Sequence, residues 1–332
     1  MAGVFRGIAA NHEPETVHAL ITGGAGSIGS RLAASLIERG DRVTVVDVRA
    51  DPVAPSAAFE RADVRLGETQ APGFIDGIVA ETRPDTVFHM ASLLSGSSET
   101  DSDLAWRVNL DGIRNVLEAA RVHGVGRVLF PSSVATFGLG VGDTVTDDSP
   151  QWPAGLYGVT KVLGERLGVY YYQRFGVDFR CVRLSAMVAP TAPAAGAASA
   201  FVCELYIGAV REGGYTFKVY PHSRIPLVWV DDVVGAMLQL HDAPARQLRR
   251  RVYQVMGSNP TVQEMADAVR TRMPDVRLAF EPDPVPAGVV DSWASSMDDT
   301  SARTDWGWAP RFDLEGMTDA VLAELQAEPS AS

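Results

Sequence analysis

The chain has 332 residues, with 41 Asp and Glu against 29 Lys and Arg, and a net charge of −12 that excludes a nucleic-acid partner. No apolar run reaches the roughly 18 residues a membrane-spanning helix needs, so no membrane partner is expected. The length suits one large domain or two intimate ones, and Cys181 and Cys203, the two cysteines, read as buried thiols in a reducing compartment.

Residues 1–16 hold one arginine and two glutamates without an apolar core, a pattern of neither a signal nor a transit peptide. They read as a loose tail of a cytoplasmic protein. Val17 to Ile21 then forms an apolar run that predicts a buried strand. Gly23, Gly26 and Gly29 follow, ahead of the amphipathic helix pattern SRLAASLIERG. Glycines so spaced permit a tight turn, close approach of backbone to a pyrophosphate, and close packing of helix on strand. Amides at the helix N-terminus would face the phosphate charge. The next apolar run, Val43 to Val46, ends in Asp47, 18 residues after Gly29. A dinucleotide-binding fold places there the carboxylate that accepts the adenosine ribose hydroxyls. Asp47 would repel a 2′-phosphate, so the pattern favours NAD over NADP as cofactor; Arg49 alone argues the other way.

Strand and helix signals keep alternating beyond this point. Phe59 to Val64 reads as a strand whose end, Asp63-Val64, would meet the adenine. A helix over Pro72–Thr82, a strand over Thr86–Met90 and one long helix over 101–122 follow, the last with Leu110, Ile113, Leu117 and Ala120 on one face. Arg127 to Phe130 is a strand leading into Pro131-Ser132-Ser133, and 139–156 is a loop. Tyr157 opens a helix to about Arg174, and Val177 to Leu184 is the sixth strand. The alternation predicts an α/β fold, a Rossmann-type doubly wound parallel sheet forming an NAD-binding domain over 17–185. The small-residue stretch 186–199 would cross into a smaller C-terminal α/β substrate lobe, 186–225 and 257–328, with 226–256 packing back on the sheet. Within it, helices are expected at 200–211, 231–242, 261–272 and 314–326, and strands near 215–220, 226–230, 252–256 and 276–280. Pro282, Pro284 and Pro286 would mark a surface loop.

Tyr157 and Lys161 stand four apart on a helix, so both side chains share one face. An ammonium beside a phenol, with a positive nicotinamide ring nearby, stabilises phenolate and lowers a pKa that starts near ~10. Tyr157 is thereby a usable general base for an alcohol proton. A hydroxyl at the preceding strand end, Ser133 or Ser132, would hold the substrate oxygen. Asn109, inside an amphipathic helix, either binds backbone or water near the site or is a polar helix-face residue. Lys161 and Lys218 are the only lysines against 27 arginines, so a lysine at a motif position carries weight. No metal site is expected.

On these residues the chain resembles the extended branch of the short-chain dehydrogenase/reductase family over about Val17 to Leu325. Within that branch it is most similar to the short-chain-type L-threonine 3-dehydrogenases. The closer likeness lies in Leu93-Leu94-Ser95, in Phe130-Pro131-Ser132-Ser133 with Phe137-Gly138, in Ile225-Pro226 ahead of Asp231-Asp232, and above all in Asp291 to Thr318. The resemblance implies Ser133, Tyr157 and Lys161 as the catalytic set. It implies cofactor contacts at Gly23, Gly26, Ser27, Ile28, Gly29, Asp47, Asp63, Val64, Ala91, Asn109, Tyr157 and Lys161. It places Ser95, Ser133, Ala197, Ala198 and Trp293 near a small-molecule substrate. Helices 101–122 and 157–174 are the pair such proteins pack into a homodimer interface, and Tyr170, Tyr171 and Tyr172 would give the second an aromatic surface.

Two departures from the family pattern matter. Leu184-Ser185-Ala186 stands where the family has Tyr-Pro-Gly, and Ala197-Ala198-Ser199 where a glycine-rich loop ends in two threonines. The reading is NAD-dependent oxidation of the β-hydroxyl of a threonine-like β-hydroxy-α-amino acid to its 3-keto product. The alternatives are a nucleotide-sugar epimerase or dehydratase of the same family, and a non-catalytic NAD-sensing regulator. The sugar-nucleotide enzymes usually carry an asparagine after the sixth strand and an arginine before the run into Asp231-Asp232; Ser185 or Ala186 and Ile225 stand there, with Arg224 one residue away.

Overall fold

The computed structural model describes residues 16–138, 140–192 and 199–327. Residues 1–15, expected to be a loose tail, and Ala197 and Ala198 lie outside the described residues. Seven strands form one sheet: β1 (His18–Thr22), β2 (Arg42–Asp47), β3 (Asp63–Leu66), β4 (Thr86–His89), β5 (Arg127–Ser133), β6 (Asp178–Leu184) and β7 (Val252–Val255). Every pairing is parallel and the spatial order is β3-β2-β1-β4-β5-β6-β7. The order reverses between β1 and β4, and a crevice at their C-terminal ends is where such sheets take ligands.

Both faces of the sheet are covered, which is why its strands are apolar runs rather than alternating ones. On one face lie α1 (Ser27–Glu38) and α6 (Val230–Asp242), burying Leu32, Leu36, Val233 and Met237 against Ile21, Val45 and Val182. On the other lie α2 (Phe74–Thr82), α3 (Gly112–His123) and α4 (Leu156–Phe175), burying Ile75, Ile113 and Leu117 against Leu20, Val87 and Cys181. Glycine lets α4 sit close: a Cβ on Gly164 would lie 2.8 Å from the Phe130 ring, and one on Gly168 would collide with Phe179.

A second core joins α5 (Phe201–Arg211), α7 (Val262–Arg272) and α8 (Leu314–Ala327) around Trp229, Phe217 and Tyr206. Two parallel strand pairs complete it, Ala186–Val188 with Leu227–Trp229 and Gly214–Phe217 with Arg277–Phe280. Both cysteines are buried free thiols, and among the described residues no helix is long and apolar enough to cross a membrane.

Several expectations are corrected. Phe59–Arg61 is a 3₁₀ turn, and the strand starts only at Asp63. The single helix expected over 101–122 is interrupted. Asp101 accepts from Leu104 N (2.9 Å) to start a helix over Ser102–Trp106, a π-turn spans Arg107–Asp111, and α3 follows. An unexpected short helix covers Ser95–Thr100. The crossing stretch begins as a strand, because Ala186–Val188 finds a partner about 40 residues on. Pro284–Asp291 is a helix: Asp283 caps Val285 N at 3.0 Å, and proline suits a first turn, where no amide partner is needed. Of the three consecutive tyrosines, Tyr171 is buried and donates to Glu118 (3.1 Å), while Tyr170 and Tyr172 are exposed.

Candidate active site

The glycine turn after β1 is built for contact on all sides. Gly23 has φ +65°, and a Cβ there would lie 2.6 Å from the Ala91 amide, so the loop after β4 presses on the turn. A Cβ on Gly29 would collide with the Gly23 carbonyl oxygen. The N-terminus of α1 has no side-chain cap at Gly26 and no acidic residue in its first turn. The Ser27 hydroxyl there is buried without a hydrogen-bond partner. Free helix amides, an orphaned hydroxyl and a turn with no side-chain bulk fit a pyrophosphate. Ile28 packs against both cores, tying this turn to the second lobe. Asp47 closes β2; its carboxylate accepts from Ala25 N (3.0 Å) and Arg49 N (3.3 Å), which holds it beside the glycine turn. The Arg49 guanidinium donates to the Ala25 carbonyl at 3.1 Å.

The expected adenine contact at Asp63 and Val64 is displaced. Asp63 pairs in register with Thr44 and is bound by Arg65 Nε (2.8 Å), whereas the residue level with Asp47 is Leu66. Asp63 therefore stands three residues, about 10 Å, behind the edge where Asp47 lies. The residues at that edge are Leu66, Gly67, Glu68 and Thr69; Gly67 N donates to the Asp47 carbonyl at 2.9 Å. The Asp-Val pair masqueraded as a strand end because the 3₁₀ turn before it resembles a strand in composition.

Asn109 enters from the π-turn and is buried. Its Oδ1 accepts from Leu93 N (2.7 Å) and Ser92 Oγ (3.2 Å), and its Nδ2 donates to Leu93 O (3.0 Å) and Thr160 Oγ1 (3.1 Å). Those four bonds use its whole capacity. The cofactor contact expected of it is thus replaced by a tie between the Ala91–Leu93 loop and the first turns of α4.

The first turns of α4 hold Tyr157 and Lys161. Lys161 is buried; its Nζ donates to Pro131 O (2.9 Å) and lies 4.6 Å from the Phe130 ring centroid and 5.5 Å from that of Tyr157. Burial lowers its pKa to about 8, against the attraction of Glu165. Burial pushes the Tyr157 phenol up to about 12, and a hydrogen bond with Ser133 pulls the other way. The two serines differ in their surroundings: Ser132 Oγ donates to Glu165 Oε1 at 2.5 Å and is buried, while Ser133 lies beside Tyr157. Ser133 also accepts from Ala135 N (3.1 Å), capping the next turn.

On the substrate side, Ser95 opens the short helix after the Asn109-bound loop, and Trp293 packs partly buried against the second core. Two buried polar groups were missed from the sequence. His89 at the end of β4 bonds Thr22 Oγ1 through Nδ1 (2.7 Å); burial and the Lys161 charge hold its pKa down at about 3, so it is neutral. Glu165 pairs with Arg183, and its position one turn past Lys161 was the available signal.

A parallel sheet with a phosphate-shaped turn at its switch point and a Ser–Tyr–Lys group at the same edge defines a nicotinamide-dinucleotide oxidoreductase. Residues 19–255 match the NAD dependent epimerase/dehydratase family, and the chain belongs to it. A mitochondrial L-threonine 3-dehydrogenase of Bos taurus is 34% identical over 315 residues, 93% of this chain and 83% of that one. The crystal structure of L-threonine dehydrogenase from Phytophthora infestans superposes with TM-score 0.86 at 32% identity, covering 93% of this chain and 99% of that one. A nucleoside-diphosphate-sugar epimerase from Agrobacterium tumefaciens gives TM-score 0.82 at 26% identity, over 93% and 94% of the two chains. The protein is an NAD-dependent dehydrogenase in type.

Proposed function

We propose that the protein oxidises the β-hydroxyl of a β-hydroxy-α-amino acid to the 3-keto product. The observation that carries the reading is the Ser133, Tyr157 and Lys161 cluster at the C-terminal end of β5, on the same edge of the sheet as the glycine turn. The similarity to threonine dehydrogenases supplies the substrate class. Ser133 holds the substrate oxygen and Tyr157 takes its proton. Lys161 favours the phenolate and holds the nicotinamide ribose. Gly23, Gly26, Ser27 and Gly29 hold the pyrophosphate, and Asp47 the adenosine ribose, with a preference for NAD over NADP. Bound NAD supplies the acceptor for the hydride that leaves the carbinol carbon. Two buried free thiols fit a cytoplasmic setting.

The test is Tyr157→Phe, which should lose nearly all turnover with β-hydroxy amino acids while NAD binding stays close to unchanged. A variant retaining more than about a tenth of wild-type turnover removes Tyr157 from the base role. The sugar-nucleotide reading draws on the likeness to the Agrobacterium epimerase. Assaying nucleotide sugars alongside β-hydroxy amino acids separates the two, and no turnover of either would favour a regulator.

A further inference from the structure

We propose that the buried Glu165–Arg183 ion pair is a positioning device for the reaction, fixing Ser132, and with it Ser133, relative to Tyr157 and Lys161. The inference rests on the catalytic set proposed above. Tyr157, Lys161 and Glu165 recur every four residues along α4, and Lys161 and Glu165 are buried against the sheet. Glu165 uses both oxygens twice. Oε1 accepts from Arg183 Nε (2.9 Å) and Ser132 Oγ (2.5 Å). Oε2 accepts from Arg183 Nη2 (2.8 Å) and Gln151 Nε2 (2.9 Å). Arg183 in turn donates to the Asp147 carbonyl (3.1 Å), and its guanidinium lies 5.3 Å from the Phe137 ring centroid. One carboxylate therefore joins α4, β5, β6 and the loop before α4.

Packing alone does not call for this arrangement. Apolar residues of similar volume generally serve stability as well as a buried ion pair, which must first be stripped of water. What an apolar pair would not do is hold the Ser132 hydroxyl by a directional bond. Ser132 precedes Ser133 on β5, and side chains alternate along a strand, so locking one sets the direction of the other. The carboxylate has a second effect, because its charge favours the Lys161 ammonium against the burial that opposes it.

The experiment compares kcat at saturating NAD, the NAD Kd and the thermal midpoint for Glu165→Gln, Ser132→Ala and the double variant Glu165→Leu/Arg183→Met, with Tyr157→Phe alongside. Glu165→Gln should lower kcat at least tenfold with the NAD Kd within twofold, and should lower the thermal midpoint by leaving Arg183 unpaired. The double variant should recover the midpoint but not kcat. Ser132→Ala should lower kcat severalfold, with the thermal midpoint falling by less than in Glu165→Gln. If Glu165→Gln fails to fold, the other two variants carry the test. A double variant with wild-type kcat makes the pair purely structural and overturns the proposal, as does an unaffected Ser132→Ala. An active Tyr157→Phe overturns the base assignment and this proposal together, whereas an inactive one beside an unaffected double variant overturns this proposal alone.

Discussion

Replacing Lys161 by methionine removes one charge from beside Tyr157 at nearly constant volume. The Lys161 Nζ lies 5.5 Å from the Tyr157 ring centroid. Across that distance, with an effective dielectric constant of about 20, a unit charge is worth about 3 kcal/mol to a phenolate, roughly two decades in its ionisation. The direction follows from the sign. The ammonium favours the charged phenolate, so its loss raises the tyrosine pKa and moves the rising limb of the oxidation profile to higher pH. At pH 7, where Lys161, lowered to about 8, is still mostly protonated in the native protein, the variant should lose about a hundredfold in kcat. Part of the loss should return as the pH is raised. The fold should tolerate the change, because a buried cation leaves and only the Pro131 carbonyl loses a donor, a cost of about 1 kcal/mol. The assay is kcat against pH at saturating NAD, so that weaker ribose binding does not contribute. A loss confined to the KM for NAD, with the limb unmoved, would refute the argument and leave Lys161 a cofactor ligand only.

Three more outcomes follow from the site and its surroundings. Wild type should prefer NAD to NADP by about a hundredfold or more, because Asp47 opposes a 2′-phosphate at a cost of several kcal/mol, and Asp47→Ala should narrow the gap; a wild-type preference for NADP would mean that Arg49, one bond from the glycine turn, governs that edge. Tyr170, Tyr172 and Phe175 expose apolar rings on α4, and a homodimer would cover them, so light scattering at micromolar concentration should return a dimer mass. With Ala197 and Ala198 in place of two threonines, threonine should lose about 1–3 kcal/mol per missing hydroxyl contact and be a poor substrate beside bulkier or aryl-bearing analogues. Threonine best by more than about a hundredfold in kcat/KM, some 2.7 kcal/mol at the transition state, would sink that idea.

The glycine turn, Asp47 and the Tyr157–Lys161 pair were legible in the chain because each rests on short-range geometry: a turn that only glycine fits, a strand end, and one helical repeat. The seven-strand parallel sheet was legible for a related reason, since apolar runs separated by amphipathic helices leave few ways to cover both faces. What the chain alone did not determine is everything decided by a partner distant in sequence. Ala186–Val188 looks like a flexible small-residue run until Leu227–Trp229 pairs with it. Asp63 looks like an adenine contact until the β2–β3 register puts Leu66 level with Asp47. Ser132 and Ser133 are equivalent on paper, and only Glu165, 33 residues after Ser132 and paired with Arg183, binds one of them and leaves the other beside Tyr157. Asn109 is likewise a polar residue on a helix until the π-turn rotates it inward and Leu93 and Thr160 use up its bonds. Periodicity records which face a residue occupies; a hydrogen bond forms or fails over less than an ångström, and that distance is set only when the whole chain has packed.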